Sequence, residues 1–271
     1  VIDFSQISYA CRRLSAGGVE NADQEGRWMV ELLSRKFPGG VSPSSLDSWI
    51  DRRISGEPFQ YVVGSVEFYD LELQVGPGVL IPRPETEGLV ERALELLAGV
   101  SAGGRVLDLC TGSGAIPLAI AHARPELHCL GVDLSPEALV WAQKNLALTG
   151  ITNCEFRLGD LFGGVPAGMR FDLITSNPPY VTPEEYRDLP SVVKDYEPRM
   201  ALEAADEGLA LEKAIIAQAP QWLKRGGALL LEMGETQGAV LADALKEAGL
   251  SEVVIRKDLF GRDRNVEGRM L

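Results

Sequence analysis

The chain reads as an α/β protein: a doubly wound sheet with helices on both faces, preceded by a small N-terminal helical bundle and joined to it by a β-hairpin. Three observations predict this. From Arg105 onward, short apolar β-like runs alternate with helical patterns. The first of those runs ends in a glycine-rich turn, Thr111-Gly112-Ser113-Gly114, that opens a helix. The first ~60 residues carry helical periodicity.

In the N-terminal part, Trp28, Met29, Leu32 and Leu33 recur at helical spacing, as do Leu46, Trp49, Ile50 and Ile54. Gly17-Gly18 and Pro38-Gly39-Gly40 punctuate them. Core packing within a small bundle explains the stripes, and one face of a bundle stays free for a partner. Two β-like segments, Val62 to Tyr69 and Leu71 to Val75, suit a hairpin closed by Pro77-Gly78. The segment Leu80 to Glu87 then enters an amphipathic helix reaching Leu97. Pro84 and the acidic residues after it fit a helix N-terminus. The expected domains are therefore 1–60, a hairpin linker 61–83, and a sheet domain 84–271. Strands are expected at Arg105–Leu109, His128–Asp133, Cys154–Leu158, Phe171–Ser176, Ala228–Met233 and Glu252–Lys257. Helical patterns occupy Pro136–Leu148, Leu209–Leu223 and Gln237–Ala248.

Composition narrows the function classes. The net charge of −13 opposes tight binding to a nucleic-acid backbone, where Lys and Arg supply most of the affinity. No run is apolar enough to span a bilayer. Val1-Ile2-Asp3-Phe4 has neither the basic start nor the apolar core of a secretory leader. The four cysteines, Cys11, Cys110, Cys129 and Cys154, show no C-x-x-C spacing and read as free thiols of a cytoplasmic protein. With only His122 and His128 present, histidine-based metal or triad chemistry is not expected, and no metal site is assigned.

The ends of the strands carry the chemistry. After the first comes Cys110-Thr111-Gly112-Ser113-Gly114, where glycines let the backbone approach a ligand and a helix N-terminus offers unpaired N–H groups. A plain tight turn is the bland alternative. The second strand ends at Asp133-Leu134-Ser135; an acid there can accept hydrogen bonds from both hydroxyls of a ribose. Ser135 is the better candidate for capping the helix that Pro136 starts. The pair indicates a nucleoside cofactor. The turn departs from the G-x-G-x-x-G spacing of a dinucleotide site, which favours S-adenosylmethionine over a nicotinamide cofactor. After the third strand, Asp160 can take the adenine amino group while Leu161 and Phe162 border its ring. The fourth delivers Asn177-Pro178-Pro179-Tyr180. Two prolines cannot continue a ladder, so the strand end carries a rigid loop with an amide, free carbonyls and an aromatic face. That set suits a planar nitrogen group, an amide or an exocyclic amine.

These residues resemble the amino-methyltransferase class of S-adenosylmethionine-dependent enzymes. Together with Gly56-Glu57-Pro58-Phe59-Gln60-Tyr61, Glu67-Phe68-Tyr69 and Ile81-Pro82-Arg83-Pro84-Glu85-Thr86-Glu87, they are similar to the PrmC/HemK family. Members methylate N5 of the glutamine in the Gly-Gly-Gln sequence of peptide chain release factors 1 and 2, supporting translation termination. The resemblance implies a Rossmann-like methyltransferase fold and a cytoplasmic, monomeric enzyme with an N-terminal docking domain. It places cofactor contacts at Cys110, Thr111, Gly112, Ser113, Gly114, Asp133, Leu134, Asp160, Leu161, Phe162 and Asn177. It places the catalytic clamp at Asn177, Pro178, Pro179 and Tyr180, with Arg83 and Glu85 also facing substrate. Cys110 stands where the family usually has glycine, so φ below zero is expected there. Ala204-Ala205 replace a common glycine pair. A nucleobase methyltransferase is the nearest rival and should carry a basic recognition region. A nicotinamide oxidoreductase and a non-catalytic adaptor are more distant.

Overall fold

The computed structural model describes residues 3–38 and 40–271. Val1 and Ile2, and Gly39 of the expected Pro38-Gly39-Gly40 break, lie outside the described residues. Two compact units emerge, one of residues 1–65 with 190–196, the other of residues 66–189 with 197–271.

The first unit holds helices α1 (Phe4–Ala16), α2 (Ala22–Lys36), α3 (Pro43–Ile54) and α4 (Phe59–Val63). Asp3 caps α1 by accepting the Ser5 N–H, and Ser42 caps α3 just before Pro43. Apolar residues at helical spacing, Ala10, Leu14, Met29, Val30, Leu33, Leu46 and Ile50, make its core. Of the expected stripes, Trp28 stays 45% exposed and lies tilted against Phe59, with ring centroids 5.8 Å apart. Val62 and Val63 belong to α4, not to a strand: Gly64, at φ +87°, ends the helix there.

The second unit begins with the hairpin β1 (Ser65–Phe68) and β2 (Leu71–Gln74), followed by α5 (Glu87–Leu96). The hairpin is more than a linker. Phe68, Leu71 and Leu73 enter the core against α5, and Asn145, fully buried, clasps Gln74 through its N–H and carbonyl. Next come β3 (Arg105–Leu109), α6 (Ala115–Ala123), β4 (His128–Asp133), α7 (Pro136–Thr149), β5 (Cys154–Leu158) and β6 (Phe171–Ser176). The short α8 (Pro183–Asp188) precedes α10 (Ala210–Gln218), β7 (Leu223–Glu232), α11 (Gly238–Glu247), β8 (Ser251–Lys257) and β9 (Asp263–Arg269), while α9 (Ser191–Lys194) belongs to the first unit. Leu223, expected to end a helix, starts β7 instead.

Strand order is β5-β4-β3-β6-β7-β9-β8. β3 pairs in parallel with both β4 and β6. β9 was not expected; it enters antiparallel between β7 and β8. The central strands β3, β4 and β6 and the second half of β7 are buried on both faces, as crossover helices require. Val106, Cys129, Leu173 and Leu230 pack with α5 and α6, while their neighbours Leu107, Leu130, Ile174 and Leu229 pack with α10 and α11. The chain leaves β3 toward β4 and β5, then returns to β6 on the opposite side. The carboxyl ends of β3 and β6 therefore flank the switch point, where such sheets hold ligands.

Candidate functional site

A cleft opens at that switch point, enclosing about 1010 Å³ with its open mouth included. Its walls include Cys110, Thr111, Gly112 and Ser113 from the turn after β3, and Asp133 with Leu134 after β4. Asp160 and Leu161 after β5, Asn177 and Pro179 after β6, and Arg83 line it as well, whereas Glu85, Gly114, Phe162, Pro178 and Tyr180 do not. One cleft thus collects residues from five separate stretches of sequence.

The turn after β3 is held from below. Asp108 is fully buried and receives the Thr111 hydroxyl at 2.6 Å and the Thr175 hydroxyl at 2.8 Å. Burial pushes its carboxyl up to about 7, against those two hydrogen bonds. Asp133 holds the turn from the side: Oδ2 accepts the Gly112 N–H at 2.7 Å and Oδ1 the Ser135 N–H at 2.8 Å. Burial raises its pKa while these N–H groups oppose the rise. Each oxygen keeps a second lone-pair direction, which suits the two hydroxyls of a ribose. Ser135 caps α7 through the Ala138 N–H, so Asp133 is free of that duty. Gly112, at φ +56°, would place a Cβ with only Val79 within reach, so its backbone lies open to a ligand. An acid for a diol, an open glycine turn and apolar walls at Ile116, Val132 and Leu161 fit the adenosyl and amino-acid parts of S-adenosylmethionine.

Cys110 departs from expectation. Its φ is +56°, not negative, although it carries a Cβ. Leu161, on another wall, sits at φ +45°. Such left-handed backbone costs on the order of 1–2 kcal/mol per residue and persists where surroundings enforce it. Phe162 also departs. It is buried and stacked on Trp222 at 5.4 Å in the core beneath α10, so it borders no ring in the cleft. Its chain neighbour Leu161 faces the cleft instead. Gly114 lies behind the wall as the left-handed residue before α6, where a Cβ would meet Phe156 at 2.6 Å. Pro178 is buried outside the cleft lining, and Glu85 is exposed on a short turn.

The loop after β6 is gripped at both ends. Asn177 Nδ2 donates to Thr86 Oγ1 at 3.1 Å. Nearby lies the Glu232 carboxyl, 1% exposed at the end of β7, with Oε2 lacking a hydrogen-bond partner among the described residues. The Tyr180 hydroxyl reaches Glu232 Oε1 at 3.4 Å, and Gln237 Nε2 donates to the Tyr180 carbonyl at 3.1 Å. Burial lifts Glu232 to about 7, opposed by Thr86, Arg264 and Tyr180. Burial, reinforced by Glu232, raises Tyr180 far above the phenol range, so its hydroxyl stays protonated. With Nδ2 engaged by Thr86, Asn177 Oδ1 is left as an acceptor with no partner among the described residues. Arg83 is held by Glu197 at 2.6 Å, and the same carboxylate accepts the Ile81 N–H at 3.0 Å.

Thr86, Glu232, Gln237 and Glu197 have no role in the sequence reading. Glu232 carried the signal that marked Asp133, an acid ending an apolar strand.

Residues 100–256 match the methyltransferase domain family. The release factor glutamine methyltransferase of Thermodesulfovibrio yellowstonii is 42% identical over 221 residues, 81% of this chain and 79% of that protein. That of Cereibacter sphaeroides is 37% identical over 273 residues, 96% of each chain. A methyltransferase structure from Pyrococcus furiosus shares the fold, with TM-score 0.53 and 18% identity over 74% of this chain and 89% of that one. A relationship that runs nearly end to end, through the cleft and its loops, leaves one assignment: the chain belongs to the release factor glutamine methyltransferase family.

Proposed function

We infer that this enzyme methylates the side-chain amide nitrogen of a glutamine, N5, in the Gly-Gly-Gln sequence of peptide chain release factors. S-adenosylmethionine, when bound, supplies a methyl group on a cationic sulfur that is already activated for transfer. Asp133 and the turn of Cys110, Thr111, Gly112 and Ser113 would hold it, with Asp160, Leu161 and Leu134 around the adenine.

The observation that carries the acceptor side is the fixed amide of Asn177. With Nδ2 committed to Thr86, Oδ1 accepts one N–H of the substrate amide. The Pro178 carbonyl accepts the other. A carboxamide nitrogen is a poor nucleophile because its lone pair is delocalised into the carbonyl. Two acceptors outside the amide plane would favour a more tetrahedral nitrogen and aim its lone pair at the methyl carbon. Such orientation supplies up to ~7–11 kcal/mol of barrier reduction, and dipoles already in place add to it. Tyr180 packs on the amide plane; as a protonated phenol it takes no part as a base. No general base is needed, because the methylated nitrogen is acidic enough to lose its proton to water after transfer.

Release factors 1 and 2 are the expected substrates, with the helical unit as their docking module, Arg83 and Glu85 toward substrate, and a monomer in the cytoplasm as the working form. The charge of −13 supports a protein acceptor over a nucleic acid. Mass spectrometry of a release factor incubated with enzyme and methyl donor tests the reading. One added methyl on the Gly-Gly-Gln glutamine is expected; an unmodified peptide overturns it.

A further inference from the structure

The turn between β8 and β9 displays two adjacent apolar side chains to solvent. Leu259 is 102% exposed and Phe260 78%. The turn that carries them is tightly built. Asp258 Oδ1 accepts the Phe260 N–H at 2.9 Å and the Arg262 N–H at 3.0 Å. The Asp258 N–H donates to the Arg262 carbonyl at 2.8 Å, and Lys257 Nζ to the Gly261 carbonyl at 3.0 Å. A turn so bonded keeps its side chains out in water and cannot fold them back onto the sheet.

Its place in the sheet is informative. β9 runs antiparallel to β7, with Asn265 opposite Glu232, so β9 starts at the edge where β6 and β7 end. The turn therefore projects from the edge that bears Asn177. β9 lies two strands from β6, roughly 10 Å away, and the turn rises on the order of 10 Å past Asn265. Arg264 joins the two places, donating to the Met233 carbonyl at 3.4 Å and to Asp258 Oδ2 at 3.4 Å. A folded protein whose glutamine reaches Asn177 must bring its surface across this edge.

The charges around the pair are neutralised within the chain. Lys257 pairs with Asp263 at 2.8 Å, Arg262 with Glu235 at 3.7 Å and Arg264 with Asp258. Phosphate recognition would need cations held open. An apolar centre with a self-neutralised polar rim is the anatomy of a protein–protein contact.

We propose that Leu259 and Phe260 form an apolar contact for the folded surface beside the acceptor glutamine of the protein substrate. This rests on the proposed function. The test is steady-state kinetics of the Leu259→Ser/Phe260→Ser double variant with a release factor. KM for the release factor rises about tenfold, the loss expected for removing a small apolar anchor, while kcat at saturation and the affinity for S-adenosylmethionine hold. The Leu259→Met/Phe260→Leu variant restores most of the loss. An unchanged KM, or a loss of kcat alone, overturns the proposal while leaving the activity standing. Self-association of the unaltered chain that the double variant abolishes also overturns it, since a second copy would then be the occupant. No transfer by the unaltered enzyme sinks the functional reading and this contact with it.

Discussion

In the helical unit the buried carboxylate of Glu25 meets the Arg53 guanidinium at 2.7 Å. In the sheet unit Asp108, Glu212 and Glu232 are each at most 1% exposed, and among the described residues none forms an ion pair. Glu197 and Glu267, also in the sheet unit, follow the Glu25 rule, paired with Arg83 and with Arg92 and Arg256. So the difference is one of position. Asp108 and Glu232 hold hydroxyls that orient the cofactor turn and the Asn177 loop, and a cation in their place would take those acceptor sites. Pairing stabilises a buried acid; leaving it to hydroxyls costs stability and preserves a geometry.

The largest break in this contrast is at the catalytic loop. Asn177→Ala removes the acceptor that the bond to Thr86 orients. Methyl transfer falls by about 10²–10³ in kcat, as for loss of one preset polar group, with the far-ultraviolet circular dichroism unchanged. Near-normal turnover would remove Asn177 from the mechanism. In the helical unit, Glu25→Ala strands Arg53 and destabilises by about 3 kcal/mol, read by urea denaturation. A loss within error would mean that the pair is ornamental.

Glu212 sharpens the comparison. It is fully buried on α10, and neither carboxylate oxygen finds a hydrogen-bond partner among the described residues. Burial pushes it up to about 8 from 4.5, with only its own backbone N–H and Lys213 opposing. Between those values the native state keeps a proton that the unfolded chain has released. Stability is therefore greatest at the acid end of that window and falls as pH rises toward 8. Glu212→Met should raise stability at pH 8 by about 1–3 kcal/mol and flatten the dependence of Tm on pH. An unchanged slope would assign it to Asp108 and Glu232, both raised to about 7. The smallest effect is expected at Cys110. Cys110→Gly relieves the left-handed backbone and stabilises by about 0.5–1 kcal/mol; a destabilised variant would show that thiol packing outweighs strain.

Four parallel strands, β3 to β6, were legible end to end: three, covered on both faces, read as nearly continuous apolar runs, and β5, at the sheet edge, as an alternation of buried Cys154 and Phe156 with exposed Glu155 and Arg157. β9 was not. Asp263-Arg264-Asn265-Val266-Glu267-Gly268-Arg269 is polar nearly throughout, and Glu267 can be buried only because Arg92 and Arg256 converge on it. Val62 failed for another reason: a β-branched run carries no mark of the turn that Gly64 imposes. Site residues followed the same division. Gly112, Asp133 and Asn177 sit at the ends of readable strands, and their chemistry is written in their type. Phe162 and Leu161 are adjacent and both apolar, so nothing in the letters says which one turns into the core.

The sequence alone determined the alternation of strands and helices, the glycine turn after β3, the acid after β4 and the amide-bearing loop after β6. Each is a local pattern, fixed by residue type and spacing along the chain. Only the tertiary structure decided the hydrogen bond from Asn177 to Thr86, which spans 91 positions. It also decided the positive φ of Cys110 and the projection of Leu259 and Phe260 beside the acceptor edge. These depend on which strand ends meet at the switch point and on what burial leaves unpaired. Such facts arise from packing between distant segments, to which local pattern is blind.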